Sequence, residues 1–482
     1  MEPAAQRSDI PLGTVVAAVC VLVLAIGVVG FFARRRRRAT TRDRPSDRPS
    51  DRPSVRMGPE DRPTGPRPAE LPQLDQVMEL LVDLGDAMIR SGAPVTHVQA
   101  SLVRIAEVNG VRDAEIVVLP TALLITVPGA DRTRTEVAAS GGTGLRLDQV
   151  DAVFRTATAA ERGQIGLGEA VAAIRAAESM RPSFGAAAVI AGHAVIAVGL
   201  AIVLAGGWTS FPVAAALGAG VGLTKFLASR GPAAVQVFVP VSCAFAVSVA
   251  TALLVRTDLD PGLLPPIIGA LVTFIPGGVL TTALLELATG QMISGAARLL
   301  FSGLQLVLLA IGIVGGVQLV GLPVIEIAPG DATGAVSPWI GVLVFGVGVL
   351  LSFSSRPASF GWMLLVLYVA FAGQLVGGLL LGSYLSGFIG AAVMTPVAVF
   401  AAGQRSGPPT LVTFLPAFWL LVPGAVALIG VTQVIGDTQA GGVGSILTAG
   451  VTFIAIALGV VLGSALSRGD TVTTRPLSTA GR

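Results

Sequence analysis

Long apolar runs, separated by short polar or glycine-rich turns, fill the chain from residue 183 onward. A helix needs about 20 mainly apolar residues to cross a hydrocarbon core about 30 Å thick. Runs of this kind occur at residues 183–205, 208–228, 231–255, 262–289, 300–322, 337–353, 359–381, 384–402, 408–435 and 443–467. The pattern predicts a multi-pass all-α membrane protein with ten transmembrane helices.

A further apolar run, residues 10–32, precedes five arginines at 34–38. A cleaved signal peptide carries its positive charges before the apolar run. Residues 1–38 are therefore predicted to be an N-terminal anchor helix with a polybasic stop in the cytoplasm. A cleaved signal and a true start at Met57 remain open.

Residues 39–70 contain repeated DRPS units, which have no apolar residue to bury and are typical of a disordered linker.

Residues 71–182 have the pattern of a small α+β domain. Apolar positions at helical spacing run from residue 74 to 91, and Thr96 is a candidate N-cap for a second helix ending near 110. Residues 115–119 and 122–127 are β-branched and separated by a proline, which predicts two strands. Two more helices are expected over 147–158 and 167–179.

Composition excludes several functional classes. Apolar residues make up 53% of the chain and charged residues 13%, about half the charged fraction of a typical soluble protein. A soluble enzyme is therefore not expected. The formal charge of +3 does not favour a nucleic-acid partner. Two cysteines and two histidines form no metal-binding spacing, so neither a metal nor another cofactor is expected.

Charge placement predicts the topology. If residue 182 is cytoplasmic, one basic residue, Arg256, falls in the outside loops. The cytoplasmic ends and the tail at 468–482 then carry Lys225, Arg230, Arg298, Arg356, Arg405, Arg468 and Arg475. Positive residues accumulate on the cytoplasmic side of membrane proteins. The domain at 71–182 and the C-terminus are therefore predicted to be cytoplasmic.

A Pro-Gly motif occurs twice in the apolar region. Pro276-Gly277 in the fourth run recurs 147 residues later as Pro423-Gly424 in the ninth. Five runs per half is an odd number, so residues 183–322 and 337–467 are predicted to form two inverted five-helix repeats. Inverted repeats with interrupted helices at matching positions are typical of secondary transporters. The alternative is that each motif only kinks a packed helix.

Three segments together resemble the bacterial threonine/serine exporter family: 77–110, with its sequence VMELLVDLGDAMIRSG; 275–299, beginning IPGGVLTTALLELATG; and 422–442, beginning VPGAVALIGVTQVIGD. The resemblance implies export of L-threonine and L-serine across the bacterial plasma membrane, driven by protons, with the lipid bilayer as surroundings. It leaves assembly as a homo-oligomer open. The chain departs from the family pattern at Thr282, Glu286 and Gln291.

Two groups of candidate site residues follow. Unwound backbone and hydroxyls near the breaks are expected to bind the amino acid: Pro276, Gly277, Gly278, Thr281, Thr282, Pro423 and Gly424. A threonine on a membrane helix also commonly bonds its own i−4 carbonyl. Titratable groups inside the apolar runs, Glu286 and His193, and Asp437 just after the ninth run are expected to carry protons. Their ordinary alternatives are an ion pair of Glu286 with Arg298, a solvated loop aspartate and a structural histidine.

Other functional classes fit the residues less well. An exporter of other small metabolites, or a membrane scaffold or sensor whose polar domain is the functional part, remains an alternative. An intramembrane protease would need paired catalytic groups within the apolar runs, where Glu286 and His193 are the candidates. A hydrolase triad around His97, with Ser101 and Asp83 or Asp86, is not required by any spacing. No enzymatic activity is expected.

Overall fold

The fold is described from a computed structural model of the chain. It describes residues 14–27, 71–128, 133–141, 144–257, 262, 264–321, 334, 336–382, 385–404, 406–421 and 442–467. The chain divides into two compact units. One is drawn from residues 1–22, 144–151 and 180–482, and the other from 23–143 and 152–179. The predicted linker at 39–70 and tail at 468–482 lie outside the described residues, as does residue 57, and the predicted anchor is described only as the apolar helix α1, Thr14–Gly27.

The smaller unit combines helices with one antiparallel sheet. Its elements are α2 (Leu71–Arg90), α3 (Val95–Val108), β1 (Glu115–Leu119), β2 (Ala122–Pro128), β3 (Thr133–Ala139), most of α4 (Leu147–Glu161) and α5 (Leu167–Glu178). The strand order is β1-β2-β3. Its core contains side chains that are less than 2% exposed, among them Leu84, Leu102, Ile125 and Ile174. A Cβ on Gly85 would lie 2.7 Å from Leu123 Cδ1, so glycine lets α2 approach β2 closely.

Two details differ from the sequence expectations for this unit. Strand β3 was not predicted, because its segment TRTEVAA is mostly exposed and carries little of the apolar alternation that identifies a buried strand. The N-cap of α3 is Pro94 rather than Thr96. The strand pair predicted at 115–119 and 122–127 is present as β1 and β2.

The larger unit is built from apolar helices. These are α6 (Ala186–Val203), α7 (Ser210–Ala228), α8 (Ala233–Val255), α9 (Leu264–Leu271), α10 (Gly277–Ala288), α11 (Met292–Val320), α12 (Ser337–Ser352), α13 (Phe360–Leu381), α14 (Ser386–Ala402), α15 (Thr410–Leu420) and α16 (Gly442–Ser467). Among the described residues, six helices are long and apolar enough to cross a membrane, or seven if the bent pair α9–α10 counts as one span. The chain is therefore a multi-pass membrane protein.

Glycines bring these helices into close contact. A Cβ on Gly312 of α11 would lie 2.7 Å from the carbonyl oxygen of Val241 in α8, and one on Gly316 would lie 2.7 Å from that of Phe245. Small residues at such positions let membrane helices pack backbone to backbone. Residue numbers rise together along this contact, so α8 and α11 run parallel.

The same contact recurs between α14 and α16. A Cβ on Gly459 would lie 2.4 Å from the carbonyl oxygen of Phe388, and one on Gly463 would lie 2.7 Å from that of Ala392. All four residues stand 147 positions after their counterparts in the α8–α11 contact. The α8–α11 and α14–α16 contacts therefore share one packing register.

Helices α6 and α12 cross in opposite directions. A Cβ on Gly192 would meet the backbone of Ser352, and one on Gly199 would meet that of Phe345. Residue numbers rise along one helix as they fall along the other, so α6 and α12 are antiparallel.

Candidate functional site

A break in the bent helix pair is the structural centre of the candidate site. Helix α9 ends at Leu271 and is followed by a 3₁₀ turn, Val272–Phe274, before α10 begins at Gly277. The two helix axes differ by 57°. Pro276 has no N–H to donate to the preceding turn, and the residue before a proline is driven out of the helical conformation. Ile275 accordingly has an extended backbone, with φ −72° and ψ 119°.

Polar side chains from two neighbouring helices reach this break. The Nε2 amide of Gln305, in α11, donates a 2.6 Å hydrogen bond to the carbonyl oxygen of Phe274. The ammonium of Lys225, in α7, donates a 3.0 Å hydrogen bond to Thr273 Oγ1. The helix interruption leaves carbonyl groups without their usual i+4 donors, and Gln305 supplies one replacement donor.

The end of α15 packs against the start of α10. A Cβ on Gly278 would lie 3.2 Å from Leu415 Cδ1, and one on Gly277 would lie 3.8 Å from the carbonyl oxygen of Phe418. Close by, Gln374 of α13 donates a 3.0 Å hydrogen bond to the carbonyl oxygen of Leu421.

Phe274 and Leu421 stand two residues before the two Pro-Gly motifs, and each carbonyl receives a glutamine amide from another helix. The second motif itself, Pro423 and Gly424, and the candidate Asp437 lie outside the described residues.

Glu286 forms a buried ion pair. Its carboxylate Oε2 lies 3.2 Å from Arg298 Nε, and the two side chains are 1% and 11% exposed. This pairing is the alternative weighed from the sequence, but its burial distinguishes it from a surface salt bridge. A rise of about 1.5 Å per residue places Glu286 about 15 Å along α10 from Pro276, so it does not adjoin the break.

His193 is buried where α6 meets α12. Its ring is hydrogen-bonded through Nδ1 to the hydroxyl of Ser352 and stacks on Phe353 at a centroid distance of 6.2 Å. Within the described part of the chain, its Nε2 atom has no hydrogen-bond partner. Phe353 also packs on Trp419 of α15, at 4.8 Å, and lies beneath Lys225 Nζ, at 5.7 Å from the ring centroid.

The two threonines predicted near the break differ in their environment. Thr281 is 2% exposed, and its hydroxyl donates a 3.0 Å hydrogen bond to Gly277 O, the i−4 carbonyl. Thr282 is half-buried. The structure therefore brings Gly277, Gly278 and Thr281 together with Pro276 at the N-terminal end of α10, while Glu286 lies near its C-terminal end.

Sequence reasoning missed Lys225 and Gln305 as contributors to the break. Lys225 is the only lysine in the chain, and a single lysine among arginines was a signal that could have singled it out. From the sequence it was assigned only to the cytoplasmic charge bias. Gln305 carried no comparable signal, because an amide in an apolar run most often bonds a neighbouring helix.

The smaller unit holds the other histidine. His97 stacks on Phe154 at a centroid distance of 5.7 Å, and burial lowers its pKa below 6.5, against an opposing effect of Glu161. The remaining residues of the hypothetical triad have other partners: Ser101 donates to Glu161, Ser140 donates to Asp86, and Arg175 donates to Asp83. Arg175 also donates to Glu79, and this hydrogen bond raises the pKa of Arg175.

No group of three or more histidine, cysteine or acidic side chains that could hold a metal ion occurs in the described ranges. The candidate site therefore offers the backbone of a helix break, the ammonium of Lys225, threonine hydroxyls and two glutamine amides. The buried ion pair lies farther along α10.

A family model described as "Putative threonine/serine exporter" matches residues 79–320. The match covers α3–α10, the sheet, most of α2 and all of α11. Neither the curated proteins nor the solved structures include a match to the chain.

Proposed function

Because the chain belongs to the threonine/serine exporter family, we propose that it is a secondary transporter that exports L-threonine and L-serine from the cytoplasm. The family resemblance predicted from the sequence is confirmed. The observation that carries the proposal is the broken pair α9–α10, bent by 57° and packed against the end of α15. Broken helices near a repeat interface are the usual substrate sites of secondary transporters.

We propose that the membrane unit consists of ten spans arranged as two inverted repeats, 183–322 and 337–467. The shared register of the α8–α11 and α14–α16 contacts supports two equivalent halves. Helices α8 and α11 run parallel, which supports a single crossing by the broken pair between them. Helices α6 and α12 run antiparallel, which supports an odd number of spans in each half and hence an inversion.

The proposed substrate site lies at the breaks. Pro276, Gly277, Gly278, Thr281 and Thr282 would contribute from the first repeat. Gly277 and Gly278 carry no side chain that could cover the first turn of α10, and this supports access of an amino acid to the backbone there. Thr281 would hold that turn through its bond to Gly277 O. Pro423 and Gly424 would provide the matching break of the second repeat.

Proton coupling is proposed to involve Glu286, with His193 and Asp437 as further proton carriers. A buried carboxylate in a membrane segment is a functional-site hypothesis by default. With Arg298 as its counter-ion at 3.2 Å, proton binding would neutralise the carboxylate and remove its attraction to the guanidinium. The contact between α10 and α11, which only residues 289–291 connect, would then weaken. Uptake of a proton from outside and its release to the cytoplasm would thereby accompany the outward movement of one amino acid.

The remaining parts of the chain are proposed to serve the transporter. Residues 71–182 would form a cytoplasmic domain that controls access or senses substrate, and the tail would lie on the same side. The apolar segment at 10–32 would anchor the N-terminus, and residues 39–70 would be its flexible tether.

The test is uptake of labelled L-threonine by sealed inside-out vesicles, whose outer face is the cytoplasmic one. An acidic lumen should drive accumulation, since protons would leave as threonine enters. Dissipating the gradient with a protonophore should abolish accumulation, and unlabelled L-serine should compete. Failure to move either amino acid would refute the exporter proposal. Equilibration without accumulation would refute proton coupling alone.

A further inference from the structure

The side chain of Lys225 ends inside the helix bundle rather than at the membrane surface. Lys225 lies in the last turn of α7, where a lysine would ordinarily extend toward the lipid headgroups. Its ammonium instead donates to Thr273 Oγ1 at 3.0 Å, in the 3₁₀ turn that interrupts the broken pair. The rings of Phe274 and Phe353 lie 5.1 and 5.7 Å from Nζ.

All these partners of Lys225 are neutral. Within the described residues, no carboxylate lies at salt-bridge distance from its ammonium. Arg298 and Arg356 of the same unit, by contrast, face Glu286 and Asp151. Aromatic rings and a hydroxyl compensate a positive charge only in part. The positive charge of Lys225 is therefore incompletely compensated, and this favours the binding of an anion.

The ammonium of Lys225 has donors that its bond to Thr273 does not use. A lysine ammonium has three donors, and Thr273 accepts from one of them. The Thr273 hydroxyl accepts from Lys225 and still has its own proton to donate. Lys225, Thr273 and Phe353 are all half-buried, so part of each side chain remains exposed. A carboxylate can therefore accept from both Lys225 and Thr273.

We propose that Lys225 binds the α-carboxylate of the transported amino acid at the break, with Thr273 as the second donor. This inference rests on the proposed exporter function and names the cation in its substrate site. A zwitterionic amino acid entering a medium of low dielectric needs a fixed positive charge for its carboxylate, and charge-assisted hydrogen bonds provide it. Phe274 and Phe353 keep the ammonium in place when no substrate is bound.

The test measures binding of L-threonine and of L-threoninamide, which lacks the carboxylate, to the full-length protein. The protein is held in nanodiscs of phosphatidylcholine, so that no anionic lipid is present. Wild type should bind L-threonine more tightly than the amide by about tenfold or more. Lys225→Gln should lose that preference: L-threonine weakens by about tenfold, while the amide binds equally well or better because a repulsive charge is gone.

Two variants serve as controls. Lys225→Arg keeps the charge and should recover part of the preference for L-threonine. Arg230→Gln removes a cation two residues after α7 ends, whose guanidinium lies 4.0 Å from the Phe226 ring centroid, and should leave both affinities within about twofold. If Lys225→Gln does not fold, Thr273→Val keeps the ammonium and should still weaken L-threonine selectively.

The outcomes separate the two proposals. If wild type transports L-threonine but binds it no better than the amide, or if Lys225→Gln keeps the preference, the carboxylate assignment is overturned and the exporter stands. The assignment is also overturned if adding anionic lipid to the nanodiscs abolishes the preference of the wild type for L-threonine, since Lys225 would then bind lipid in a membrane that contains it. If wild type neither binds nor moves threonine or serine, both proposals fail.

Discussion

The buried pair of Glu286 and Arg298 gives the sharpest test of whether Glu286 has a role beyond structure. The charges are 3.2 Å apart, with side chains 1% and 11% exposed. At that distance two unit charges attract by about 5 kcal/mol for an effective dielectric constant of about 20. Removing one member of a buried pair typically costs about 3–5 kcal/mol, because the remaining charge loses its compensation.

Glu286→Gln and Arg298→Met should each lower stability by that amount, whereas the double variant should return to within about 1 kcal/mol of wild type. Each single variant should therefore melt about 3–5 °C lower, as measured by thermal unfolding of the purified full-length protein. Arg256→Met is the matched control, because within the described residues Arg256 donates to the carbonyl oxygen of Gly321, at 3.0 Å, and faces no carboxylate. Its loss should cost about 1 kcal/mol or less.

Transport by the double variant then separates the two roles of Glu286. If Glu286 carries the proton, the stable double variant should exchange threonine across vesicles but should not accumulate it under a pH gradient. Recovery of both stability and accumulation would make Glu286 purely structural. A Glu286→Gln variant as stable as wild type would refute the energetic reasoning itself.

Two further predictions concern stability. The pKa of His97 is lowered by burial, so the unfolded chain binds a proton that the folded chain does not, and stability should fall as the pH drops below about 6.5. Thermal melts from pH 7.5 to 5 should show this decline, and a His97→Gln variant with an equal decline would contradict it. Gly316→Ala should cost about 1–3 kcal/mol, because its Cβ would meet the carbonyl of Phe245 at 2.7 Å. Gly303→Ala, on the same helix with nothing within 4 Å, should be neutral or stabilising in the same denaturation assay.

Local patterns in the sequence predicted the elements that depend on local physics. Apolar runs located the membrane helices because transfer into a hydrocarbon layer depends on the composition of each segment. The recurring Pro-Gly pair located the break, because Pro276 removes a backbone donor and glycine has little helix propensity. Proline alone was not sufficient, since Pro240 and Pro396 stand inside continuous helices. Strand β3 escaped prediction because its stability comes from pairing with β2 rather than from its own pattern.

The partners of the break could not be predicted in this way. Lys225 and Thr273 are 48 residues apart in the chain, and their contact depends on how α7 is rotated against the broken pair. A helix that is apolar on every face carries no stripe to fix that rotation. Close contacts at glycines fix the rotation of α7 instead. For example, a Cβ on Gly222 of α7 would lie 2.8 Å from His193 Cβ in α6.

Apolar segments, the Pro-Gly pair at the break and the 147-residue offset between the two Pro-Gly motifs could therefore all be predicted from the sequence, because each is a local feature of the chain. The tertiary structure added that the Glu286–Arg298 pair, an alternative already open from the sequence, is buried, that Gln305 donates to the interrupted turn and that Lys225 donates to Thr273. Those contacts depend on the rotation and depth of neighbouring helices, which close packing of small residues sets and hydropathy does not encode.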